Sequence, residues 1–170
     1  MKLDFDKILR RSPESTGGGK LPVHATFFHH STEEEALAGG YGRWLLFLNG
    51  TWKFRFFENP DLVSDDLLFD ADDSGWADIA VPGCWDMQGY GHPHYTNIQM
   101  PFREYPPEVP EQNPTGIYRG KFILPNGWDE RRVILHFDGV ENCFFLFING
   151  TAVGFSKDSR GPSEFCHVRE

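Results

Sequence analysis

Side chains capable of acid–base or metal chemistry are plentiful in this sequence, but few fall at the spacings such chemistry needs. Asp158 and Glu164 lie six residues apart in "GFSKDSRGPSEF". A glycoside hydrolase sets two carboxyls about 5–9.5 Å apart across a sugar, and nothing local identifies such a pair. There is no Gly-x-Ser-x-Gly, no Gly-x-x-x-x-Gly-Lys and no cysteine with a convincing histidine partner. "STGGGKLP" has the glycines and lysine of a phosphate loop but lacks the strand before and the helix after. His29-His30, His92-x-His94 and Cys84 match no standard metal-ligand spacing, and adjacent histidines on an extended chain face opposite ways. Asp70, Asp72, Ser74, Gly75 and Asp78 fall at calcium-loop positions 1, 3, 5, 6 and 9, yet position 12 is Val81 rather than a bidentate glutamate. No metal site and no catalytic residue is therefore assigned. The eight acidic residues of 58–78 read as a solvated surface connection.

One polar group stands out by its setting. "YTNIQMPFREYPPEVPEQNPTG", residues 95–116, holds five prolines and no hydrophobic period, yet carries Tyr95, Met100, Phe102 and Tyr105. Irregular loops longer than about 12–15 residues are uncommon in compact domains, and are functional or disordered when they occur. The aromatic content argues against disorder. Prolines fix φ along the segment, and Trp85, Tyr95 and Phe102 are the candidate rings to support it. Asn97, near its start, offers a donor and an acceptor. On the residues alone, Asn97 reads as a loop amide capping a turn.

The elements that would carry this loop are short strands. "RWLLFLNGTWKFRFF" predicts two strands around an Asn49-Gly50 hairpin, and "CFFLFINGTAVGFS" predicts a second hairpin at Asn149-Gly150. "GIYRGKFILP" and "RRVILHFDGV" add further strands. Both Asn-Gly-Thr tripeptides fit turns better than glycosylation sites. "STEEEALAGG" predicts one short helix near 32–38, capped by Ser31 or Thr32, with acids at its positive end and Gly39 as its stop. Frequent short strands with no ten-residue helical stripe between them indicate an all-β sandwich or jelly roll. Residues 1–26 read as a flexible amino-terminal segment, with "SPESTGGGKLP" as linker.

With 170 residues the chain suits one domain. A net charge of −9 disfavours nucleic acid, which needs a basic surface. No apolar run reaches the roughly 18 residues of a membrane span. "MKLDFDKILRR" makes a poor signal peptide, and Cys84, Cys143 and Cys166 read as reduced thiols of a cytoplasmic protein.

"LNGTWKFRFF", "VPGCWDMQGYGHPHYTN", "PPEVPEQNPTGIYR", "HFDGVEN" and "FINGTAVGFSKDSRGPSEF" occur in this order. Together they resemble the amino-terminal domain of bacterial-type β-galactosidases of glycoside hydrolase family 2, over residues 27–165. The resemblance implies a jelly-roll β-sandwich of the galactose-binding-domain type, packed beside a catalytic (β/α)8 barrel that lies further along a parent chain. It implies that Asn97 reaches into the barrel's active site and hydrogen-bonds a galactosyl ring. It places the catalytic acid and nucleophile, both glutamates, in the barrel. This chain alone is thus expected to be inactive on galactosides and to hold no cofactor, while the parent uses magnesium and sodium and is a homo-oligomer. Residues 166–170, "CHVRE", depart from the family pattern, and the sandwich is expected to be incomplete at that end. Cys84 stands where the family often has asparagine.

The function so implied is the amino-terminal part of a hydrolase of terminal non-reducing β-D-galactosides such as lactose. Two alternatives stand beside it. A stand-alone carbohydrate-binding module would need a platform of exposed aromatics and would bind galactose unaided. A complementing module would restore activity when mixed with a barrel-bearing chain.

Overall fold

The computed structural model describes residues 12–69, 72–95, 97–128 and 130–167. Strand β1 is Gly17–Gly18, followed by helix α1 (Glu33–Ala38), β2 (Gly50–Phe57), α2 (Asp66–Phe69), β3 (Ala77–Val81), β4 (Thr115–Arg119), β5 (Val133–Phe137), β6 (Phe144–Ile148), β7 (Thr151–Ser156) and β8 (Ser163–His167). The pairings are antiparallel and form sheets ordered β3-β2-β4, β1-β7-β6 and β5-β8. The chain is a β-sandwich with two short helices, as its pattern of short strands requires.

Alternation along β2 explains the first half of the core. Trp52, Phe54 and Phe56 share one face because side chains two apart point the same way. Phe54 is fully buried, ringed by Trp85, Tyr90 and Tyr118 at centroid distances of 6.0, 4.7 and 4.7 Å. Trp85 also meets Phe56 edge-on at 5.8 Å. The second half gathers on β8, where Phe165 is fully buried against Phe137 and Phe144.

The two Asn-Gly sites behave differently. Asn149 and Gly150 take φ of 49° and 78°, the paired positive values of a type I′ turn, and join β6 to β7. The hairpin predicted at Asn49-Gly50 does not form. Residues 45–49 lie outside any strand, and β2 instead pairs with β3 on one edge and β4 on the other. With both edges of β2 taken, "LLFLN" has no ladder to join. The indole N–H of Trp52 donates to the Leu48 carbonyl at 2.7 Å and folds that segment back over the strand. The predicted helix is present, with Thr32 accepting from the Glu35 N–H at 3.2 Å and Gly39 at the C-cap. "GIYRGKFILP" contributes strand only as far as Arg119.

The reading of "SPESTGGGKLP" as linker gives way to a docked arm. Gly17 and Gly18 pair with Ser156 and Phe155, Lys20 bridges Phe165, and the Leu21 N–H donates to the Glu164 carbonyl at 2.9 Å. Glycines make this close pairing feasible, since a Cβ on Gly18 would stand 2.5 Å from the Phe155 ring. Residues 1–11 lie outside the described residues. At the other end, Cys166 and His167 continue β8 in register with Ile134 and Val133, while residues 168–170 lie outside the described residues.

Beneath the arm sits a buried hydroxyl. Ser156 Oγ lies within reach of Lys20 Nζ (3.1 Å), Ser163 Oγ (3.0 Å) and the Asp158 N–H (3.2 Å). Ser156 and Ser163 are both buried. Ser156→Ala leaves those donors short of an acceptor and is expected to lower stability by about 1–3 kcal/mol. A urea midpoint equal to that of the unsubstituted chain would contradict this.

The described acids of 58–78 are exposed, as expected of a solvated connection, with the exception of Asp73. Asp73 accepts Lys121 at 3.0 Å with its carboxylate largely covered, and Arg119 lies over the Trp76 ring at 4.3 Å. Hydrogen bonding to Lys121 holds the Asp73 carboxyl below its ordinary value. Asp72 accepts the Ser74 N–H at 3.0 Å, an Asx turn rather than a calcium loop. Asp70, the first position of that pattern, is outside the described residues.

Candidate functional site

The long loop leaves and re-enters the β3-β2-β4 sheet, and aromatic packing fixes its root. Val81, at the end of β3, leads through a one-turn helix (Asp86–Gln88) preceded by Trp85. Gln88 returns to the sheet, where its side-chain oxygen accepts the Ala80 N–H at 2.8 Å. At the far end, Gly116, the second residue of β4, lies against Trp85, and a Cβ there would lie 2.6 Å from the indole. The Asn113 N–H donates to the Glu58 carbonyl at 3.1 Å, and Asn59 donates through Nδ2 to the Glu111 carbonyl. The far end of the loop is thereby tied to the segment that follows β2, while the near end is rooted on the sheet through Trp85 and Gln88.

The three rings expected to support the loop play different parts. Trp85 packs against Phe54 and Phe56 and joins loop to sheet. Phe102 meets His94 edge-on at 5.4 Å, and His94 meets His92 at 4.9 Å, so this contact lies within the loop. Tyr95 is 73% exposed and faces solvent. Asn97 is exposed on the same segment.

Between the loop's root and the segment after β2 lies a cleft of about 850 Å³. Glu58, Asn59, His92, His94, Phe102 and Glu111 are among its walls. Leu62, Pro101 and Pro110 complete a lining of mixed polar and apolar character. Asn97 stands outside the cleft wall. The cleft joins residues some 50 positions apart along the chain, and no local motif announced it.

The electrostatics raise neither carboxyl of the pair Asp158 and Glu164. Asp158 accepts the Gly161 and Arg160 N–H groups at 2.9 and 3.2 Å, and those bonds hold its carboxyl below the ordinary range. Burial pushes the Glu164 carboxyl up, but bonds from His136 and His24 more than reverse this and leave it low. A general acid needs the opposite shift. Burial, with Cys84 and Asp86 nearby, pushes the Tyr118 phenol up to about 12, so it stays protonated under the loop's root. Among the described residues, no group of three or more His, Cys, Asp or Glu side chains is arranged to hold a metal ion. Nor is any helix there long and apolar enough to cross a membrane.

The chain is thus an all-β sandwich whose long loop and adjoining cleft are rooted on buried aromatic rings of one sheet. The sequence of residues 45–169 matches the family model described as "Glycosyl hydrolases family 2, sugar binding domain", and the chain belongs to that family. Its fold is accordingly the jelly-roll type of sandwich. The chain is 45% identical over 174 aligned positions to a β-galactosidase of Psychromonas ingrahamii, covering 98% of this chain and 17% of that relative. Against a β-galactosidase of Vibrio cholerae it is 46% identical over 147 positions, covering 85% of this chain and 14% of the relative. Against one from Vibrio vulnificus the identity is 46% over 168 positions, covering 95% and 16%. The chain thus spans about one-sixth of the length of the curated relatives it matches.

Proposed function

We propose that this chain is the sugar-binding, amino-terminal part of a β-galactosidase. In this reading it supplies a substrate-contacting loop, and packing, to a catalytic barrel outside the chain. The substrates are terminal non-reducing β-D-galactosides such as lactose. The observation that carries the reading is the loop itself: anchored at both ends, with Asn97 exposed, in a chain about 45% identical to β-galactosidases. A carboxamide can donate to one sugar hydroxyl while accepting from its neighbour, and a loop stiffened by five prolines loses less freedom on binding. Trp85 holds the root, Phe102 braces the loop internally, and Tyr95 is left to face the ligand side or the barrel.

No step of hydrolysis is assigned to residues of this chain. The catalytic carboxyls, and the magnesium and sodium of the parent, belong in this reading to the barrel-bearing remainder and its homo-oligomer. A cytoplasmic setting agrees with the exposed thiols of Cys84 and Cys143.

The test is Asn97→Ala in the full-length parent. The expected result is a fall in kcat/KM on galactosides of roughly tenfold or more, from loss of a hydrogen bond to the sugar. Thermal stability should stay unchanged because the side chain is exposed. Unaltered kcat/KM would remove Asn97 from the site.

One observation favours the stand-alone module. Tyr95 and Tyr105 are 73% and 85% exposed on the same loop, a pair of rings on which a sugar could stack. Saturable galactose binding by the chain alone, abolished by replacing both tyrosines, would favour that reading over the first.

A further inference from the structure

Two histidines each stand between two hydrogen-bond acceptors. His136, on β5, has Nδ1 2.9 Å from Glu164 Oε1 and Nε2 3.0 Å from Asp138 Oδ1. His24, in the amino-terminal arm, has Nε2 2.8 Å from Glu164 Oε2 and Nδ1 2.8 Å from the Ala25 carbonyl oxygen. A neutral imidazole has one N–H and one lone pair, so in either tautomer it turns a lone pair toward an acceptor. Only the imidazolium donates on both sides. Each Glu164 oxygen then accepts from one ring, and two imidazoliums face two carboxylates, leaving the cluster neutral.

We propose that His24, Glu164, His136 and Asp138 form a proton-operated latch that holds the amino-terminal arm against β8 and opens when the imidazoliums lose their protons. The latch acts where the arm's backbone also meets Glu164, through the 2.9 Å bond from the Leu21 N–H. Opening it would release the Lys20–Phe165 bridge and the β1 strand that covers one edge of β7. An uncovered edge is a surface for pairing with another chain.

The groups that face one another here are His24 from the arm, His136 and Asp138 from β5 and the turn after it, and Glu164 from β8. The Ala25 carbonyl, then Glu164, raises the His24 pKa. Burial acts to lower that of His136, but the bonds to Glu164 and Asp138 outweigh it and leave the pKa raised. Groups whose folded pKa exceeds the unfolded value of about 6.5 stabilise fully below that value. Their contribution is lost as pH rises through the folded values. Glu164, held low, contributes above the unfolded carboxylate range and loses its contribution as pH falls through its folded value. The latch is closed between those limits and opens on the alkaline side.

The experiment is a ring-nitrogen NMR titration of the full 170-residue chain, with amide exchange at Leu21 corrected for the intrinsic rate. Both rings should remain imidazolium above about pH 6.5, and Leu21 protection should fall roughly tenfold across their midpoints. His24→Gln should remove the pH dependence at Leu21 while leaving the β5–β8 amides protected. Glu164→Gln should bring both midpoints down toward about 6.5. Midpoints at or below that value in the unsubstituted chain would overturn the latch, as would Leu21 protection that does not change across the titration. A chain in which the arm is not docked would also titrate near 6.5 and count against it.

Discussion

Replacing Phe54 by alanine is expected to destabilise the chain by about 3–5 kcal/mol. Phe54 is 1% exposed and its ring meets three others, Trp85, Tyr90 and Tyr118, so the cavity left behind has walls that cannot easily close. Two of those walls also border the long loop. Trp85 holds the root of the Asn97 loop, and Tyr118 lies on β4, where the loop ends. Loss of the Phe54 ring would therefore loosen the loop as well as the core. Because small domains keep only about 5–15 kcal/mol of net stability, the substitution removes a large part of it. Urea unfolding followed by tryptophan fluorescence reads the change. Phe54→Leu, which keeps most of the volume, should cost less than half as much. A midpoint shift below about 1 kcal/mol for the alanine variant would mean that the aromatic cluster is not the core of this sheet.

What the sequence made legible was local, and what it concealed was not. The β6–β7 hairpin follows from Asn149-Gly150 because the flanking strands have no other partner for that edge. The identical dipeptide at 49–50 fails as a hairpin because β3 and β4, far along the chain, take both edges of β2. Helix α1 was readable because its cap, Thr32, and its stop, Gly39, are neighbours in sequence. The arm at Gly17–Gly18 was not, since glycines pair through backbone alone and leave no side-chain period to read. Composition gave the acidic stretch its charge but not the Arg119 and Lys121 partners that cover Asp73. The loop's oddity was visible in its prolines and aromatics. The role proposed for Asn97 rests on the family resemblance, because an exposed amide looks the same whether it caps a turn or meets a sugar. The His24–Glu164 contact spans 140 residues, beyond the reach of any local pattern, whereas His136 and Asp138 are only two residues apart, at the end of β5 and in the turn after it.

Phe165→Ala is expected to cost a similar amount, about 3–5 kcal/mol, by a different route. Phe165 is fully buried, edge-on to Phe137 at 6.2 Å and Phe144 at 5.9 Å. Gly154 packs so closely on it that a Cβ there would stand 2.7 Å from the ring. Its backbone also bridges Lys20, so the substitution should free the arm while leaving the Trp85 cluster in place. Amide exchange separates these effects: protection at Leu21 and along β8 should fall further than protection along β2. Among the described residues, the rings around Phe165 share no member with those around Phe54. If the two clusters are energetically separate, their effects should add to within about 0.5 kcal/mol. Two alanine substitutions together would exhaust the stability of a small domain, so the cycle is best made with Phe54→Leu and Phe165→Leu, each milder. A coupling above about 1 kcal/mol would show that the sheets share one core. The arm latch and the Asn97 loop would then be mechanically linked. Additivity would make them two devices on one sandwich, so that opening the arm with pH leaves Asn97 where it is.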